Sequence, residues 1–240
     1  MFRHRGKNRT FSHNKKIASL LSFVAGIVNV AGFLSVAKLT TNVTGHFAFF
    51  VDEVFKLNFR GSLVYFFYIL FFFLGSFVSN LLAEIISRKN KRFIYVIPTL
   101  IESLILFAVA IIGPTSMASD YNYIAFTLLF AMGLQNSLVT RISNAVVRTT
   151  HLTGLFTDLG IELSQLFFYR SKEQRSKLIS TIRLRLRIIT CFFAGGVLGG
   201  IFYSYLALYI LIIPATMLII GLFYDSVRYR LLNWKRKHAN

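Results

Sequence analysis

Two short polar stretches of this chain could do chemistry, and one is nearly a copy of the other. They are Thr41-Asn42-Val43-Thr44-Gly45 and Thr150-His151-Leu152-Thr153-Gly154. Each stands where an apolar run breaks off. Thr44 and Thr153 are of the type that caps a helix N-terminus, the hydroxyl accepting a bond from an orphan backbone N–H. Gly45 and Gly154 let the backbone approach another group closely. A helix opening at such a break offers free N–H donors and a positive dipole end, which favour an anion or a polar oxygen. Matched breaks in two halves of a membrane chain point to a transport site at a repeat interface. The plainer alternative is a pair of capped helices lying at opposite membrane faces.

A few other side chains could serve such a site. Glu102 lies in the middle of an apolar run. An ionisable group at that depth is costly and is a functional candidate by default. It would carry a coupling proton, pair with Arg141 or Arg148, or sit protonated and hydrogen-bonded between helices. Asn29 and Asn136 occupy matching positions upstream of the two motifs and would line the solute site, although such amides often only link helices. Downstream, Glu53 and Glu162 match while Asp52 and Asp158 do not; these residues form the wet faces of short helices or gate a cavity. Arg148 would neutralise an anion beside His151 or anchor the chain at the membrane surface. His46 and His151 adjoin the motifs with no second ligand at metal spacing, so no metal site is expected. Cys191 is the single cysteine, which rules out an internal disulfide or zinc knuckle. No phosphate-binding glycine loop, nucleophile elbow or zinc-protease helix occurs, so neither enzyme activity nor a cofactor is expected.

These residues need a membrane scaffold to position them. The chain is 55% hydrophobic with 26 Phe among 240 residues, and its mean hydropathy is +0.61. Only 15% of residues are charged, against about 25% in soluble domains. Apolar runs at about 17–37, 62–87, 93–112, 121–140, 187–205 and 207–225 read as six transmembrane helices, the last two forming a tight hairpin. Short amphipathic helices are expected at 47–57 and 155–168. Between the spans lie a basic cluster at 88–92, Gly113-Pro114-Thr115-Ser116, and a basic stretch from Arg141 to Arg187.

The net charge of +18 would suggest nucleic acid on a soluble domain, but here the basic residues sit in clusters between apolar runs. With the N-terminus inside, 24 of the 27 Lys and Arg fall on the inner side. The outer side keeps Lys38, Lys56 and Arg60. That satisfies the positive-inside rule and makes both termini cytoplasmic. Anionic lipid headgroups are the expected partners of the segment 170–187, and no nucleic-acid partner is expected. The first apolar run lacks a cleavage site and reads as a retained span.

A shift of 109 residues lays Thr41, Thr44, Gly45, Phe47 and Glu53 on Thr150, Thr153, Gly154, Phe156 and Glu162. Upstream, Gly26-Ile27-Val28-Asn29 resembles Gly133-Leu134-Gln135-Asn136. Downstream, Phe72-Phe73-Leu74-Gly75 resembles Phe192-Phe193-Ala194-Gly195. Each half has three spans, an odd number, so the second half enters the membrane inverted relative to the first. The expected fold is therefore an all-α polytopic membrane protein of two inverted three-helix repeats. Each repeat has a broken span and a short half-helix after its motif. Repeat 1 covers about 17–112 and repeat 2 about 121–225, within a single membrane domain flanked by basic tails at 1–16 and 226–240.

The paired motifs, together with Gly26–Phe33 and Ala131–Ser137 ahead of them, resemble the YoaK-like family of bacterial membrane proteins, defined by a domain of unknown function. The resemblance covers about 17–225, and the stretch 148–154 is similar to the family's second signature. It implies a bacterial inner-membrane protein, often described as a permease. Family members commonly carry Asp where this chain has Asn29, and Asn where it has His46. If that Asp holds a coupling charge, Glu102 or His46 must replace it here. The function expected is a small secondary transporter of a polar or anionic solute, acting as a monomer or homodimer. The alternatives are a non-catalytic assembly or regulatory subunit docking through 170–187, and a lipid-modifying membrane enzyme.

Overall fold

The computed structural model describes residues 11–89, 93–116, 121–143 and 145–237. Its long helices are α1 (Phe11–Val36), α3 (Phe59–Lys89), α4 (Val96–Ser116), α5 (Asn122–Ser143), α7 (Lys172–Leu206) and α8 (Ile212–Lys237). Short helices α2 (Thr44–Phe55) and α6 (Leu152–Gln165) follow the two breaks, and a 3-10 turn, Ala207–Leu211, joins α7 to α8. Among the described residues there is no strand.

Five stretches are long and apolar enough to cross a bilayer. The protein is thus a helical, multi-pass membrane protein. The last stretch, Lys172–Tyr224, has 53 residues, about 80 Å if it were straight, against a hydrocarbon core of about 30 Å. It is broken at Ala207, whose backbone (φ 47°, ψ −136°) ends α7.

Glycines set how the helices cross. A β-carbon at Gly26 of α1 would lie 2.1 Å from the Phe192 carbonyl oxygen of α7, and one at Gly195 of α7 would lie 2.2 Å from that of Phe23. The α3–α5 crossing repeats the pattern. Gly75 meets the Phe130 carbonyl at 2.1 Å and Gly133 meets that of Phe72 at 2.2 Å. Only glycine lets backbones come this close, a common basis of helix packing in membranes. Both pairs run parallel: Gly195 and Gly199 meet Phe23 and Ile27 in order, and Tyr68, Ser76 and Asn80 bond Asn122, Gly133 and Arg141 in order.

Two sequence boundaries need correction. The basic stretch 170–187 is not a loop ahead of a span starting at 187, because α7 is helical from Lys172. Its Leu178, Ile182, Leu184, Ile188 and Ile189 are buried, so Lys and Arg fill the outer face of an amphipathic helix. Residues 113–116, expected as a loop, form the last turn of α4 with Pro114 inside it, where its missing N–H removes one bond to the carbonyl four residues back. Parts of the expected tails are helical, since α1 starts at Phe11 and α8 runs to Lys237. Arg3, Arg5, Lys7, Arg9, Lys91, Arg92 and the loop 117–120 lie outside the described residues.

Candidate functional site

At the first break, α1 ends and Ala37 adopts a left-handed backbone (φ 52°) that turns the chain back along the helix. Thr40 Oγ1 donates to the Val28 carbonyl at 3.2 Å, and Thr41 Oγ1 donates to Asn29 Oδ1 at 2.7 Å. Gly32 makes room for Thr40, whose Oγ1 lies 2.4 Å from where a β-carbon would stand. Buried His46 bonds the Leu39 carbonyl through Nε2, and its ring lies 4.8 Å from that of Tyr68.

The second break uses the same devices. Ala145 is left-handed (φ 62°), and Thr150 Oγ1 donates to Asn136 Oδ1 at 2.8 Å. Where the first break has Thr40 on the Val28 carbonyl, the second has buried Thr149 accepting from Gln135 Nε2 at 3.3 Å.

The capping expectation is corrected by these bonds. Thr44 and Thr153 are exposed and lie inside their helices, whose N-caps are Val43 and His151, and neither cap makes a side-chain bond. At α2 the donor at Gly45 is satisfied instead by Asn42 Oδ1 at 2.9 Å. It is the first threonine of each motif that is held, because the chain must first be tied back to the preceding span. Gly154 is crowded by the His151 ring, 2.3 Å from a β-carbon position, so any larger residue there would displace His151.

Both breaks fold back along the helices that precede them, to Asn29 and Asn136. Gln135 Nε2 donates to the Leu21 carbonyl at 3.0 Å, which brings the second anchor level with Leu21 on α1. Asn29, the first anchor, lies eight residues farther along α1, a rise of about 12 Å. Measured along α1, the two anchors are thus much closer than the thickness of the hydrocarbon core, about 30 Å.

The charged candidates divide unevenly. Arg185 of α7 holds α6 through Glu162 (2.9 and 3.0 Å) and Asp158 (2.8 Å). Glu53 instead accepts from nearby Asn58, so these matching glutamates have different partners. A cavity of about 460 Å³ opens at the N-terminus of α6, lined by Arg148, His151, Gly154, Asp158 and Arg185 among others. Arg185 is engaged by two carboxylates, Asp158 and Glu162, which together outweigh its charge, and Arg148 is the other cation lining this space. Arg141 does not pair with Glu102, since it bonds Glu84 at 2.8 Å and Asn80. Glu102 is fully buried, with no hydrogen-bond partner for either carboxylate oxygen. Its neighbourhood of Thr99, Ser103 and Leu106 on α4 is equally dry.

Sequence reasoning missed Thr40 and Thr149, while Gln135, an amide of the kind that links helices, bonds α1. A signal was available, because Thr40 and Thr149 fall on one another at the same shift of 109 residues. They read as flanking residues only because the motif was taken to begin one position later.

Over residues 17–224 the chain matches the family described as "Protein of unknown function (DUF1275)", and it belongs to that family. This agrees with the YoaK-like resemblance of the paired motifs. No curated protein and no solved structure matches the chain.

Proposed function

We propose that the protein, as a member of this family, is a small secondary transporter of a polar or anionic solute, with its site between the two helix breaks. The observation that carries this reading is the doubled anchor, Thr41 on Asn29 and Thr150 on Asn136. It folds both breaks back along their spans, and measured along α1 the two anchors stand about 12 Å apart. Non-helical backbone at membrane depth is tolerated only where protein buries it or where it lines a wet cavity. The second break borders a cavity lined by Arg148, His151 and the N-terminus of α6, which supports the reading. A cation beside a helix N-terminus suits a carboxylate or phosphate group.

The architecture proposed is six crossings in two inverted repeats. The matched crossings support it: the first span of each half packs, parallel, on the second span of the other, with glycines at equivalent positions. The break at Ala207 supports counting α7 and α8 as separate crossings. The charge bias of the loops supports a bacterial inner membrane with both termini in the cytoplasm, and the outer face of α7 offers Lys and Arg to anionic lipid.

Reconstituted protein should move a labelled solute from a panel of small monocarboxylates, dicarboxylates and inorganic phosphate. Replacing both anchors, Thr41→Val with Thr150→Val, should cut that flux at least about tenfold, the equivalent of about 1.4 kcal/mol of barrier. Flux that persists in the double variant refutes the site. No flux for any member of the panel refutes the anionic reading.

A further inference from the structure

Helix register brings Glu102 and Gln135 to one level of the contact of α4 with α5. A β-carbon at Gly113 of α4 would lie 3.9 Å from Ile124 Cδ1 of α5, which sets the register of these antiparallel neighbours. Eleven residues lead back from Gly113 to Glu102, and eleven lead on from Ile124 to Gln135. Eleven residues make about three turns, so both side chains return to the same face at the same level. Ser103, the next residue on α4, donates to the Ala215 carbonyl of α8 at 2.9 Å. That leaves Glu102 on the flank nearer α5.

Both side chains are 0% exposed. Three acceptor oxygens at this level are buried without a donor, the two of Glu102 and Oε1 of Gln135. The Gln135 amide cannot turn round to supply one, because its Nε2 already donates to the Leu21 carbonyl and to Thr149 Oγ1. An ionised carboxylate held against a carbonyl oxygen in dry surroundings is strongly disfavoured. One proton removes the conflict, the carboxyl O–H donating to Gln135 Oε1. Other charges are engaged or distant. Glu84 of α3 and Arg141 of α5 pair with each other, and the described side chains of α8 and of the 3-10 turn carry no charge. The Tyr95 hydroxyl, at the start of α4, is also buried and without a hydrogen-bond partner.

We infer that Glu102 and Gln135 form a proton-binding site, and that its occupancy is coupled to the second break through the Gln135 amide and Thr149. The carboxylate takes a proton from water and shares it with Gln135 Oε1. Losing that proton repels the amide oxygen, and the same amide holds Thr149, the residue before the Thr150 anchor. The proton site rests on the packing of α4 and α5; only its use in driving a solute rests on the transport reading.

Infrared spectra of the purified protein test the first half. A protonated-carboxyl band should be present, should vanish in Glu102→Gln, and should shift to a weaker hydrogen-bonding position in Gln135→Met. A band unchanged by either substitution overturns the site. Spectra that respond to sodium ion in place of pH assign the oxygens to a metal cation and overturn it too. For the coupling, a thiol is introduced by Thr153→Cys in a Cys191→Ala background. Its labelling rate, divided by that of a small free thiol in the same buffer because only the thiolate reacts, should change about fivefold or more between acidic and alkaline buffer, the scale of ordinary site-to-site coupling. The added substitution Glu102→Gln should abolish the change in this ratio, and a ratio indifferent to pH overturns the coupling. If the band behaves as expected while no panel solute moves, the transport reading fails and the proton site stands.

Discussion

At the scale of single residues, the two threonines of each motif have different jobs, and stability measurements separate them. Thr41→Val or Thr150→Val removes a donor and leaves an asparagine oxygen unpaired in a partly buried place. Each should cost about 1–2 kcal/mol, seen as a lower melting temperature of the purified protein in detergent. Thr44→Val and Thr153→Val touch exposed residues without a cap bond and should stay within about 0.5 kcal/mol of wild type. The reverse order would restore the capping role. The sequence shows plainly that Thr41, Thr150, Asn29 and Asn136 recur. It does not show that the first threonine is the one held, since that depends on where the chain turns back. The turns occur at Ala37 and Ala145, and alanine carries no local signal for a left-handed backbone.

At the scale of elements, the helices are arranged by close backbone crossings and by ionic clamps, Arg141 to Glu84 between α5 and α3 and Arg185 to Asp158 and Glu162 between α7 and α6. Gly75→Ala and Gly195→Ala would each drive a β-carbon to 2.1–2.2 Å from a carbonyl oxygen of the neighbouring helix. Overpacking of this kind costs about 1–3 kcal/mol, so both variants should melt lower, whereas Gly160→Ala, with open space around it, should not. Arg185→Ala should release α6 from α7 at a cost of about 1 kcal/mol, in the range of partly exposed ion pairs. Hydrogen exchange should then speed up in α6 and remain unchanged in α2, which has no such clamp. The helices themselves could be read from apolar runs and the positions of the breaks. Which helix packs on which could not, because α1 meets α7 across more than a hundred residues and local pattern says nothing about it. The helical start of α7 was hidden for another reason. Its dense Lys and Arg look like a loop until Leu178, Ile182 and Ile189 are recognised as one buried stripe.

At the scale of the whole molecule, charge bias and crossing pattern describe the same topology. A periplasmic phosphatase fused after Lys56 should be active, and one fused after Arg170 should be inactive; the opposite result would invert the molecule. The family match over residues 17–224 agrees with a fold in which the two motif regions belong to one membrane domain. What the sequence alone left open was whether the breaks lie at the membrane surfaces or reach inward. The anchors to Asn29 and Asn136 fold both breaks back along their spans, and the depth of the breaks in the bilayer is therefore the decisive quantity. Spin labels attached through Thr44→Cys and Thr153→Cys, each alone in a Cys191→Ala background in lipid, report depth by their exposure to oxygen and to a water-soluble relaxant. Both labels are expected within about 10 Å of the bilayer centre. Labels at headgroup depth, about 15 Å from the centre, would leave two helices lying on opposite membrane faces, with no site between them.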